Sequence, residues 1–347
     1  MYNMSMSGPP GFVNRKDLKR AARESLRTDR PRVWKVTLVY LLLTSGLFLL
    51  LDLVLGGSVA TTRDMLAALF TYTDPQQLMA VLTTPASPVA VPVFFLQILL
   101  RLYAVVLSFG YYSYTLRRSR GEEAGFGDLL GGFGMTGRVI LMNLIVLAFS
   151  LCWALLVLVP VSLLLSFLVT VFAMGSYFYA PSVEVLTSQI VVLYVVFIVI
   201  FVVAALIILF LLLRYALAPF CLADHPDGGP LEAVRRSRAL LYARRGEIFK
   251  LVLSFLGWNI LSTVLSLLVS GVCVGLGCAA FLTSGSLTAL TVGIVAGEVL
   301  SFLLPIPFTI WLQGYYTGTL ARYYCAISDA AQPADEWRMP GDSSRPF

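Results

Sequence analysis

Few residues in this chain are placed to do chemistry, and the first is Arg101. It stands deep inside an apolar run, where an arginine costs about 2.5 to 3.5 kcal/mol on insertion scales. It therefore requires an anionic partner or a watered pocket. Glu298 lies at similar depth in another apolar run, Asp52 nearer the end of a third, and Gln97 one helical turn from Arg101. Two outcomes follow from this arrangement. One is a structural ion pair between Arg101 and Glu298, with Asp52 as the alternative partner. The other is a polar pocket that receives a ligand. A second basic group, Arg235, Arg236, Arg238, Arg244 and Arg245, is set between apolar runs. It suits contact with lipid phosphate or a protein partner, and it also serves simply to hold that segment on one side of a membrane.

No catalytic constellation can be assembled. The single histidine, His225, excludes histidine-pair metal sites, and no base is placed beside a serine or cysteine. Cys152, Cys221, Cys273, Cys278 and Cys325 sit within or beside apolar segments without a CxxC pair and read as small apolar filler. His225-Pro226-Asp227 spells the tripeptide of co-chaperone J-domains but lacks their helical hairpin. Gly132 to Val139 lacks the lysine and the preceding strand of a phosphate-binding loop, and reads as a flexible interfacial loop. The chain is expected to be no enzyme and to need no cofactor.

The elements that hold these residues are membrane spans. At 347 residues, 58% hydrophobic and 13% charged, with a mean hydropathy of +0.84, the chain needs lipid as its solvent. Spans of about 20 apolar residues fall near 36–56, 92–116, 139–160, 188–213, 249–274 and 291–316. An apolar extension carries the third to 174, past a kink expected at Pro160. Its far end would project outside, capped by Tyr177, Phe178 and Tyr179. With both termini in the cytoplasm, 23 of the 25 basic residues fall inside, leaving Arg63 in the first outer loop and Arg101 in span two. Cleavage as a signal peptide near Ser58-Val59-Ala60 is the competing reading of span one, disfavoured by its long charged leader. The pI of 9.1 follows from the same charge bias. It points to the bilayer and its anionic headgroups as partners, with no nucleic acid.

Internal duplication organises the spans. GYYSYTLRR, from Gly110, and GYYTGTLAR, from Gly314, are near copies, and upstream Leu26, Arg30, Trp34 and Lys35 align with Leu241, Arg245, Phe249 and Lys250. Three parallel units are expected, each a cytoplasmic interfacial amphipathic segment followed by a hairpin. The first segment places Leu18, Ala21, Ala22 and Leu26 on one helical face before Pro31. The last places Leu231, Val234 and Leu241 on a stripe after Pro230. GFGDLLGGFGMTGR before span three is a weaker version. Asn143, Asn259 and Gln313 should bond between helices, and Gly271 and Gly275, a GxxxG with Gly277 close by, should mark a tight helix contact. Residues 1–14 are expected to form a disordered tail, 15–325 the six-span domain and 326–347 a flexible cytoplasmic tail.

Arg214 to Leu261 resembles the signature region of the DUF975 family of bacterial integral membrane proteins. Ala223 to Pro226 correspond to its turn, Leu231 to Ser237 to its helix, and Gly257-Trp258 to its glycine-tryptophan pair. The N-terminal LKRAARESL and the tail YYTGTLARYY resemble the family's ends. His225 stands where asparagine is usual, and the apolar stretch between Pro160 and Arg214 is longer than expected. The resemblance implies a multi-pass protein of the bacterial cytoplasmic membrane and leaves its role open. Handling of a lipid or small solute, as a permease or binding accessory, is the leading expectation. The alternative is a non-transporting scaffold that recruits a membrane-protein partner.

Overall fold

The computed structural model describes residues 15–28, 33–55, 57–72, 74, 76, 90–179 and 183–331, and among them every regular element is helical. In chain order these are α1 (Arg15–Thr28), α2 (Val33–Leu55, π-helical over Leu42–Gly46), α3 (Gly57–Thr71) and α4 (Ala90–Ser119). Next come α5 (Phe126–Leu130) with a 3-10 turn over Gly131–Met135, α6 (Thr136–Tyr179), α7 (Val183–Leu212), α8 (Ala218–Asp224) and α9 (Gly229–Leu241). The last described elements are α10 (Arg245–Ser284), α11 (Leu287–Leu303) and α12 (Ile306–Ala331). The expected tail over 1–14 and Pro31 lie outside the described residues. Helix α12 runs on past 325 to Ala331.

Five helices are long and apolar enough to cross a membrane, or six if the bent pair α11 and α12 forms one span. Their surfaces show why lipid is required. In α6 the most apolar stretch has no buried residue, and Leu144, Leu147 and Leu151 all face outward. The chain is thus a multi-pass membrane protein.

The expected sixth span, 291–316, is broken. Helices α11 and α12 meet at 43° across Leu304 and Pro305, because proline offers no N–H and its ring displaces the carbonyl one turn back. Pro160, by contrast, lies inside one 44-residue helix, α6, about 66 Å long. Tyr177, Phe178 and Tyr179 form its last turn.

Two compact units divide the chain, Met1–Val139 with Leu251–Phe347, and Ile140–Lys250. In the first, the core lies where α4 packs on α12 and α2. Leu107, Tyr111 and Tyr114 are buried there with Val36, Tyr315 and Tyr324. Helix α1 packs on α12 and buries Leu18 and Ala22. The first interspan loop contains an unanticipated helix, α3, whose Val59, Leu66 and Ala67 form a stripe against Leu290 and Ile294 of α11.

The GxxxG expectation fails by position. A methyl group on Gly271 or Gly275 would meet nothing, whereas one on Gly293 would lie 2.7 Å from Gly277 Cα and 2.8 Å from the Cys273 carbonyl oxygen. The close contact therefore joins α10 to α11 through Gly277 and Gly293, beyond the turn at Gly285 with its φ of 67°. The glycine-rich stretch after α5 is likewise not a loose loop. Its Gly132 is buried, and a Cβ there would overlap the Val106 carbonyl oxygen.

In the second unit α8 packs on α9, burying Phe220, Cys221 and Leu222. Helix α9 inserts Ala233, Val234, Ser237 and Leu241, while Leu231 is 45% exposed and leaves the expected stripe. Ser237 replaces it because its hydroxyl donates to the Arg214 carbonyl oxygen at 2.9 Å, which satisfies a buried polar group.

Candidate functional site

The two GYY copies come together, since α4 and α12 pack against each other. Gly110 allows the approach of α5 to α4, because a Cβ there would overlap the Leu129 carbonyl oxygen and lie 2.6 Å from its carbon. Arg117, closing the first copy, pairs with Glu122 at 3.1 Å and with Asp128. Tyr111 follows Gly110. Its ring stacks on Tyr40 at 4.5 Å, and its hydroxyl is hydrogen-bonded to Thr37 at 2.9 Å and to Thr317 of the second copy. Thr317 already donates to the Gln313 carbonyl oxygen at 2.7 Å. Tyr111 therefore donates to Thr317 and accepts from Thr37. This locked tyrosine is a positioning feature, with every hydroxyl lone pair it needs supplied by protein.

A cation-lined aromatic panel adjoins it in the first unit. Lys19 Nζ of α1 donates to Ser254 Oγ at 2.6 Å and lies 4.7 Å from the Phe255 ring centre, and Arg23 lies 5.1 Å from that of Tyr315. The panel continues through Trp311, 5.3 Å from Tyr315, to Trp258, 5.7 Å further. In the sequence Lys19 and Arg23 are charged positions of the first amphipathic segment and nothing more. The contact could not be read from spacing, since it joins residues 235 apart.

Arg101 does not meet Glu298. It is exposed on α4, with its guanidinium 5.7 Å from the Phe48 ring centre, and it makes no ion pair among the described residues. Glu298 sits half-buried on α11, which packs on α3, so the expected pairing is replaced by two separate settings. Equal depth along two spans does not set the direction in which each helix turns its side chain. Gln97 and Asp52 are half-buried on α4 and α2. Of the expected interhelical amides, Asn259 is exposed and donates within its own helix to the Phe255 carbonyl oxygen at 3.0 Å.

The second unit holds the other basic group. Arg235 and Arg238 are exposed on α9 and Arg236 is half-buried, while Arg244 and Arg245 close the turn into α10 and are half-buried. Arg245 lies 4.9 Å from the Tyr242 ring centre. Arg214, which opens the stretch that resembles the family signature, lies 4.8 Å over Trp153. Trp153 Nε1 in turn donates to the Tyr215 hydroxyl at 3.3 Å, and Phe149 stacks on Tyr215 at 5.8 Å. The signal that could have found it is the Arg-Tyr pair at the end of a span, with a tryptophan nearly three turns after an asparagine in the preceding one.

Among the described residues no three His, Cys, Asp or Glu side chains gather as a metal site. A family model described as protein of unknown function (DUF975) matches residues 6–331, nearly the whole chain. No curated protein and no solved structure matches it.

Proposed function

The chain belongs to the DUF975 family, and from that premise we propose that it handles an anionic lipid or small solute in the membrane, as a permease or a binding accessory. Arg101 is the observation that carries this reading. A guanidinium within a span, exposed and without an ion pair among the described residues, gains about 0.5–1 kcal/mol from the Phe48 ring, too little to offset its insertion cost of about 2.5 to 3.5 kcal/mol. An anion brought from outside the chain supplies that offset. The proposal includes three hairpin units in the bacterial cytoplasmic membrane with both termini inside, supported by the 23 of 25 basic residues that this orientation keeps there.

Native mass spectrometry of the gently solubilised protein, beside Arg101→Ala, tests it. A defined lipid or solute adduct on the wild type, lost from a variant of equal thermal stability, is the expected result. No adduct on either, or one indifferent to the substitution, refutes it. That result would favour the scaffold reading, which the 44-residue α6 and 40-residue α10 support, both far longer than a hydrocarbon core of about 30 Å.

A further inference from the structure

We infer that Arg214, Arg244 and Arg245 form a phosphate-binding site in the second unit, separate from Arg101. Each of the three buries a guanidinium nitrogen, Nε of Arg214, Nη1 of Arg244 and Nε of Arg245, with no hydrogen-bond partner among the described residues. Unsatisfied buried donors are rare in folded proteins because water has been removed without replacement. Three of them, all on cations, mark a place built for an acceptor that the chain does not supply.

The three come to one end of the unit for local reasons. Phe210 of α7 meets Phe249 of α10 edge to face at 5.5 Å. Arg214 lies one turn beyond the first ring, and Arg245 one turn before the second, so both sit on the same side of the ring pair. Arg244 adjoins Arg245 in the turn that Arg244 N–H closes by donating to the Leu241 carbonyl oxygen at 3.3 Å. Ser237 of α9 ties this turn's helix to the Arg214 backbone at 2.9 Å. The ring faces of Trp153 and Tyr242 hold the Arg214 and Arg245 guanidinium planes, which fixes their orientation without using any N–H group.

Among the described residues no ion pair of these three arginines is seen. The ion pairs Arg63–Asp64 and Arg117 with Glu122 and Asp128 do not involve them. The ligand is therefore an anion with several acceptor oxygens, and a phosphate group matches the guanidinium fork. Trp153 and Tyr215, joined through their polar edges, have the amphipathic character of side chains at headgroup depth. A phospholipid headgroup and a soluble phosphate share this chemistry.

The full-length protein in neutral detergent is titrated with phosphatidylglycerol, with phosphatidylcholine as the control lipid, and bound lipid is read by native mass spectrometry. Expected is saturable binding of phosphatidylglycerol that weakens at least tenfold in Arg214→Gln/Arg245→Gln. The charge-matched Arg20→Gln/Lys35→Gln variant, altered at two exposed positions, should bind as the wild type does. Equal binding by all three proteins, or equal loss in both variants, overturns the site. Displacement by millimolar inorganic phosphate identifies a soluble ligand and its failure a lipid, and either upholds the site. Should the arginine variant misfold, arginine labelling with phenylglyoxal on the wild type decides. Phosphatidylglycerol or phosphate must protect Arg214, Arg244 and Arg245 from labelling, and absence of protection by both refutes the inference. Loss of Arg101 leaves this protection in place, so failure here and failure of the Arg101 proposal are distinguishable.

Discussion

Replacing Gly110 with alanine probes the packing beneath the duplicated GYY segments. The new methyl group would overlap the Leu129 carbonyl oxygen and stand 2.6 Å from its carbon, with the Asp128 carbonyl oxygen at 3.0 Å. All three are backbone atoms, so no side chain can swing aside, and clearing the nearer oxygen takes α5 further than the roughly 0.8 Å that the carbon alone needs to reach an ordinary contact near 3.4 Å. That movement is resisted. Leu129 is buried, Asp128 pairs with Arg117, and Asp128 Oδ2 accepts the Gly125 N–H at 2.7 Å. Overpacking costs about 1–3 kcal/mol, and undocking Leu129 adds about 1.5–3 kcal/mol. Alanine returns about 0.5–1 kcal/mol by relieving glycine's entropy in a helix. The net expectation is a loss of about 1.5–5.5 kcal/mol. The assay is equilibrium unfolding in mixed micelles, followed by tryptophan fluorescence, with Gly318→Ala in parallel. A methyl group on Gly318 meets nothing, so that variant should gain about 0.5–1 kcal/mol. Wild-type stability in Gly110→Ala, or an equal loss in both, refutes the reasoning.

Other outcomes follow from the same structure. Tyr111→Phe removes the hydroxyl shared by Thr37 and Thr317 and should destabilise by about 1–3 kcal/mol in the same assay, since a buried donor loses its acceptor. Gly293→Ala should separate α10 from α11 and cost about 1–3 kcal/mol by overpacking, while Gly271→Ala, in open space, should be neutral or stabilising. Arg101→Ala should hold its thermal midpoint, because no ion pair is lost; a fall as large as that of Tyr111→Phe would show a structural role. Lys19→Met removes a hydrogen bond to Ser254 and the contact with Phe255, and limited trypsinolysis within α1 should accelerate several-fold as α1 undocks.

Periodicity and charge made the spans legible. The apolar runs that lipid requires are local in sequence, so Val33–Leu55 and Val91–Ser119 lie close to the spans expected at 36–56 and 92–116. The break at Pro305 was legible in principle, since proline carries its own reason for interrupting a helix. It was obscured because apolar character continues on both sides. Helix α3 was missed because Arg63 and Asp64 lower the hydropathy of its segment, and its apolar stripe is short and needs α11 to become a buried face.

Sequence alone determined that this is a multi-pass helical protein of the DUF975 family, because solvent preference and motif are properties of residues in order. It also brought Arg101, Arg244 and Arg245 forward as residues of interest. Only the tertiary structure decided their company. Which way a helix turns its side chains depends on what packs beside it, and this set Arg101 on Phe48, kept Glu298 apart on α11, and moved the glycine contact to Gly277 and Gly293. The same packing withdrew water from Arg214, Arg244 and Arg245 and left their buried nitrogens without a protein acceptor, a fact about three-dimensional proximity that no spacing along the chain encodes.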